Sequence, residues 1–195
     1  MIKTVFFDFD GVIARFKRGS LREYITQKLG IFIPNYYDYY MGLTESKELE
    51  ELIATDPDNF FKDVVIHHTD LIAEQLLEYG INAIILSNRP ASYEKFLNSL
   101  RGENDLSIIC LGDMPKITFI QNYIEGLGIN LNEVLLVEDN PYTDRWSAIG
   151  LNIAIVRDRF TKYYVDTYPK QIKYLIKHPI NNLIETINKI EEDNK

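Results

Sequence analysis

Ile2-Lys3-Thr4-Val5-Phe6-Phe7-Asp8-Phe9-Asp10-Gly11-Val12 decides the fold. Its first six residues are short, β-branched and aromatic, the signature of a buried strand. Two carboxylates, Asp8 and Asp10, follow where that strand should end, and Gly11 then lets the chain turn. Ligands of open α/β sheets bind beyond the carboxyl ends of the strands. The opening dozen residues therefore aim two acids at a binding crevice.

The pattern continues outward from that strand. Val64 to Tyr79 carries apolar residues near helical spacing and stops at Gly80. Ile81 to Leu86, Leu106 to Leu111, Val134 to Val137 and Leu151 to Val156 read as further strands. Ser92 to Leu100 and Pro115 to Leu127 read as helices between them, with Gly128 after the second. Strands alternating with helices imply an α/β fold, a doubly wound, Rossmann-like parallel sheet with helices on both faces. The tail from about Thr161 carries a further amphipathic helix, notably Ile180 to Ile190, and the charged end Glu191 to Lys195 is expected to fray.

Residues 15–62 break this rhythm. Leu21 to Leu29 and Glu45 to Ile53 have helical patterns, separated by the aromatic run Tyr36-Tyr37-Asp38-Tyr39-Tyr40. The expected organisation is a core of residues 1–14 and 63–195, interrupted by a small α-helical cap at 15–62. The tyrosines, with Phe16 and Phe32, either pack the cap against the core or form a stacking wall for a base.

A chain of 195 residues with 46% apolar content builds a core without staples. The single cysteine, Cys110, has no internal partner and falls in a strand, as a buried core thiol does. This usage fits a reducing cytoplasm. The early acids argue against a signal peptide, and no apolar run approaches the about 20 residues that span a bilayer. A net charge of −8 argues against stable nucleic acid binding. Adjacent His67 and His68 have no third ligand spaced for zinc. Trp146 reads as core packing.

Four strand ends carry polar chemistry: Asp8 and Asp10; Ser87-Asn88-Arg89; Lys116 at a helix start; and Glu138-Asp139-Asn140 with Asp144. Each alone has an ordinary explanation as a cap, turn or surface residue. Together, in this order along one sheet edge, they form a converging site.

These four segments resemble the motifs of the haloacid dehalogenase-like superfamily, the aspartate-nucleophile phosphohydrolases. Asp8-Phe9-Asp10 matches the first motif, Ser87 the second, Lys116 the third, and Asp139 with Asp144 the fourth. Glu138 stands where many members have glycine and others have an acid.

The resemblance implies a Mg2+-dependent phosphatase. Asp8 would be the nucleophile, forming an aspartyl-phosphate, and Asp10 the general acid and base. Asp8, the Asp10 backbone carbonyl, Asp139 and Asp144 would hold Mg2+. Gly11, Ser87, Asn88 and Lys116 would bind the phosphoryl group, and Arg89 a second anionic group of the substrate. The insert occupies the place of the family's small cap, which suits a small phosphorylated metabolite, a nucleotide or a sugar phosphate. Ser87-Asn88-Arg89 and the acidic fourth motif resemble the deoxyribonucleotidase-like branch. A phosphomutase and a non-catalytic binding protein on the same scaffold are the alternatives. A monomer or homodimer is expected.

Overall fold

Strand β1 (Thr4–Asp8) is buried along its whole length, as a central parallel strand covered on both faces must be. A computed structural model describes residues 1–16, 55, 57–58, 62, 64–66, 69–101, 106–157, 172–177 and 182–195. The chain divides into two compact units, Met1–Ile13 with Ile66–Lys195, and Ala14–Val65.

In the larger unit, β1 is followed by α1 (Thr69–Glu78), β4 (Asn82–Ser87), α2 (Glu94–Ser99), β5 (Ile108–Cys110), α3 (Lys116–Leu127), β6 (Val134–Glu138), β7 (Asn152–Arg157), β8 (Tyr174–Lys177) and α4 (Leu183–Asp193). The strands β2 (Ala14–Phe16) and β3 (Val64–Ile66) pair as a separate two-stranded sheet. The other six make one sheet in the order β5-β4-β1-β6-β7-β8, with every neighbouring pair parallel. The chain leaves β1 toward β4 and β5, then returns to β6 on the other side of β1. The strand order thus reverses between β1 and β6, where open α/β sheets place their ligands.

Register brings the chemistry into line. Asp8 pairs with Leu86, so Ser87 lies one residue beyond it on β4. Phe7 pairs with Val137, so Asp8 and Glu138 end adjacent strands side by side. Phe6, two residues before Asp8, meets Ile120 and Ile124 of α3 and Leu86, Leu136, Ile153 and Ile155 of the sheet in one buried cluster. Phe6 also meets Phe119 and Tyr123 edge-on, with ring centroids 6.3 and 5.4 Å away. Helix α3 is thereby fastened to the face of β1 that carries Asp8, since residues i and i+2 of a strand share a face. Trp146, half-buried in the 3-10 segment Pro141–Ile149, packs against the same cluster.

Three elements differ from the sequence reading. The helix expected from Val64 starts at Thr69, because Val64-Val65-Ile66 forms a strand. Three consecutive β-branched residues favour the extended chain over a helix. A sixth core strand, β8, lies in the tail. Its short apolar stretch between Lys173 and Lys177 pairs in parallel with β7. The chain end, expected to fray, is helical to Asp193. It is tied down by side chains: Glu191 accepts the Ile2 N–H at 2.8 Å, and Asp193 accepts from Tyr174 Oη at 2.8 Å and Lys173 Nζ at 3.3 Å.

The helical patterns at Leu21 to Leu29 and Glu45 to Ile53, the tyrosine run 36–40, Phe32, and His67 with His68 lie outside the described residues. No described helix is long and apolar enough to cross a membrane.

Candidate active site

The turn after β1 is made by its own backbone. Ile13 N–H donates to the Phe9 carbonyl at 3.0 Å, and Gly11 sits at φ 79°, a conformation that side chains rarely adopt. Gly11 also packs tightly on Asp139: a Cβ built at Gly11 would overlap the Asp139 carboxylate. The glycine therefore serves both the turn and the approach of the acid following β6.

Lys116 occupies the first position of α3, behind Pro115, whose extended backbone starts the helix. Its ammonium group is buried and donates to Asp8 Oδ1 and Glu138 Oε1, both at 2.6 Å. Asp8 Oδ1 also accepts the Phe9 N–H at 2.8 Å. Ligand oxygens of Asp8, Glu138 and Asp139 all lie within 4.8 Å of one another. The sequence sets Glu138 beside Asp139 at the fourth strand end without giving it a role, and the structure brings its carboxylate to Lys116 and close to Asp8. The signal for Glu138 was its place at the end of a strand running beside β1.

Burial dominates the electrostatics. It pushes the Asp8 carboxyl up to about 8, helped by Glu138 and Asp10 and opposed by Lys116. Burial also works against the Lys116 charge, but Asp8 and Glu138 outweigh it and raise its pKa. One ammonium is thus shared between two buried acids.

The second strand end is organised around Arg89. Ser87 Oγ accepts the Arg89 N–H at 3.2 Å, which leaves the hydroxyl proton free to be donated elsewhere. The Arg89 carbonyl accepts the Gly112 N–H at 2.9 Å, and the buried guanidinium reaches Asp10 Oδ1 at 3.1 Å. Asn88 is exposed and donates from Nδ2 to the Met114 carbonyl at 3.2 Å. Asp144 lies in the Pro141–Ile149 segment, and its side chain is outside the described residues. Cys110 is a free, buried thiol. Burial, then Glu94, pushes its pKa up to about 11, which makes it a poor nucleophile.

The structure therefore joins Asp8, Lys116, Glu138 and Asp139 in one cluster, with Gly11 packed on Asp139. It links Ser87, Arg89 and Asp10 in a second. An all-oxygen set of carboxylates suits a hard divalent cation such as Mg2+.

No protein-family model and no curated protein matches the sequence. Solved structures do. A predicted phosphatase from Clostridium acetobutylicum superposes with a TM-score of 0.68 at 15% identity, over 97% of this chain and 99% of that one. A haloacid dehalogenase-like family hydrolase from Streptococcus pneumoniae gives 0.61 at 13% identity, over 95% and 98%. An enzyme of the same family from Bacteroides thetaiotaomicron, in complex with magnesium and inorganic phosphate, gives 0.52 at 15% identity, over 84% and 100%. At these identities the likeness is one of architecture, and the chain has the haloacid dehalogenase-like fold.

Proposed function

We propose that the chain is a Mg2+-dependent phosphomonoester hydrolase acting on a small phosphorylated metabolite, a nucleotide or a sugar phosphate. The observation that carries this reading is the buried Lys116 bridging Asp8 and Glu138, with Asp139 alongside, at the reversal of strand order. Structural neighbours described as a phosphatase and as an enzyme holding magnesium and phosphate support it.

Asp8, Asp139, the Asp10 carbonyl and Asp144 would hold the cation, with Glu138 adding a further oxygen. Bound there, Mg2+ offsets the charge of the phosphate and of the acids around it. Asp8 attacks phosphorus through a carboxylate oxygen as the bond to the leaving oxygen breaks. Asp10 gives that oxygen a proton, then takes one from the water that releases inorganic phosphate from Asp8. Ser87 Oγ–H and the Lys116 ammonium donate to the phosphoryl oxygens, where charge accumulates. Residues 15–62 would be a small cap insert, as their place in the chain after the first motif suggests. The buried thiol of Cys110 suits a reducing compartment, and we assign the chain to the cytoplasm.

Phosphate release across a panel of nucleotides and sugar phosphates, with and without Mg2+, tests the reading. Release that requires both Mg2+ and Asp8, and is lost in Asp8→Asn, is the expected result. The preferred compound separates nucleotidase from sugar phosphatase. Transfer of phosphate from a bisphosphate to a sugar phosphate, without net release, would instead make the chain a mutase.

A further inference from the structure

We propose that Arg89 is a positioning residue for Asp10, fixing one carboxylate oxygen so that the other delivers the proton to the leaving group. The inference rests on the phosphatase reading, in which Asp10 is the general acid.

Arg89 is 4% exposed, unusual for a residue that is almost never fully buried without a partner. Its backbone is pinned on both sides, by the Ser87 hydroxyl and by Gly112 N–H, so the guanidinium projects from a fixed base. Asp10 has the opposite situation. It lies in the turn beyond β1, and its side chain is 24% exposed. A loop-borne carboxylate at a solvent-accessible edge samples several rotamers unless something holds it.

Arg89 Nη2 donates to Asp10 Oδ1 at 3.1 Å. Among the described residues, Asp10 Oδ2 has no hydrogen-bond partner, so it is the oxygen left to carry the proton. In the first step the Oδ2–H bond breaks and a bond from hydrogen to the leaving oxygen forms as the P–O bond breaks. In the second step water returns a proton to Oδ2. The guanidinium stays on Oδ1 throughout and neither gains nor loses a proton.

The test compares two substrates in Arg89→Met, Asp10→Asn and the double variant. p-Nitrophenyl phosphate has a leaving group that departs without a proton. The most active alkyl phosphate of the panel above does not. The expected result for Arg89→Met is a kcat lower by about 100-fold on the alkyl phosphate and by less than about 10-fold on p-nitrophenyl phosphate, the scale of general acid catalysis. KM should hold, and the double variant should be no slower than Asp10→Asn alone. Arg89→Lys keeps the buried charge and should restore part of the loss. It also carries the test if Arg89→Met does not fold, by showing the same split in smaller degree. Equal losses on both substrates, additive losses in the double variant, or a change confined to KM would overturn the proposal. Phosphate release that survives Asp8→Asn, or wild-type protein without release, would instead remove the phosphatase reading and this inference with it.

Discussion

Gly11 and Asp139 touch across the mouth of the sheet so closely that no side chain fits between them. The glycine is also at φ 79°, so a substitution meets two penalties at once. The left-handed backbone costs about 1–2 kcal/mol for a residue with a Cβ. The overlap must also be relieved by moving the Asp139 carboxylate, because the alternative is backbone. Gly11→Ala should therefore unfold at lower urea and bind Mg2+ at least about 10-fold more weakly than wild type, a metal ligand having been displaced. Isothermal titration with Mg2+ checks this. Unchanged Mg2+ affinity in a destabilised variant would mean that Asp139 does not hold the ion.

Lys116 is buried between two carboxylates, and its removal leaves both without their cation. Breaking a buried pair from one side costs about 3–5 kcal/mol, because the surviving charge is left in a poor solvent. Lys116→Met keeps most of the stem volume, so the loss reports charge rather than packing. In EDTA the variant should be less stable by that amount in urea. Mg2+ should restore part of it, since the ion supplies positive charge to the same acids. A variant equally stable with and without Mg2+ would show that the ion does not reach Asp8 and Glu138.

How much of this could be read from the chain follows from where the signal is local. Asp8, Lys116 and Asp139 are legible because each ends or directly follows a strand, or starts a helix, with strong apolar flanks. Glu138 is visible as an acid directly after Val134 to Val137, but its role is not local: only the register of β6 on β1 shows that it stands beside Asp8. The Arg89–Asp10 pair spans 79 positions, a separation at which no pattern in either segment points to the other. Strand β8 escaped for a related reason. Four residues at a sheet edge carry little periodicity, and their partner in β7 is what makes them a strand.

Phe6 links the core to the site. It lies on the Asp8 face of β1 and is clasped by Phe119 and Tyr123, which belong to the helix that begins with Lys116. Phe6→Ala should cost about 3–5 kcal/mol, as large-to-small changes in a closed core do. It should also slow turnover under conditions where the protein remains folded, because the helix carrying Lys116 loses its hold on β1. Thermal melts and kcat measured well below the transition separate the two effects. A fully active but destabilised variant would show that the Lys116 contact with its two acids alone fixes the helix.

The acid–base behaviour of Asp8 gives the last prediction. Burial first, and then Glu138 and Asp10, raise its pKa from 3.8 to about 8 in the metal-free fold. The folded protein therefore keeps a proton on Asp8 through a pH range in which the unfolded chain has lost it. Stability falls with rising pH wherever the native state binds more protons, so this group weakens the fold progressively from about pH 4 to about pH 8 and no further above that. Urea midpoints in EDTA should decline across that window, and Asp8→Asn should remove this part of the slope. Mg2+ and the proton compete for the same carboxylate, so ion binding near pH 7 should release about one proton and tighten as pH rises toward 8. Titration calorimetry in buffers of different ionisation enthalpy counts that proton. A count near zero at pH 7 would show that Asp8 is already ionised in the metal-free protein, with Lys116 overcoming the cost of burial.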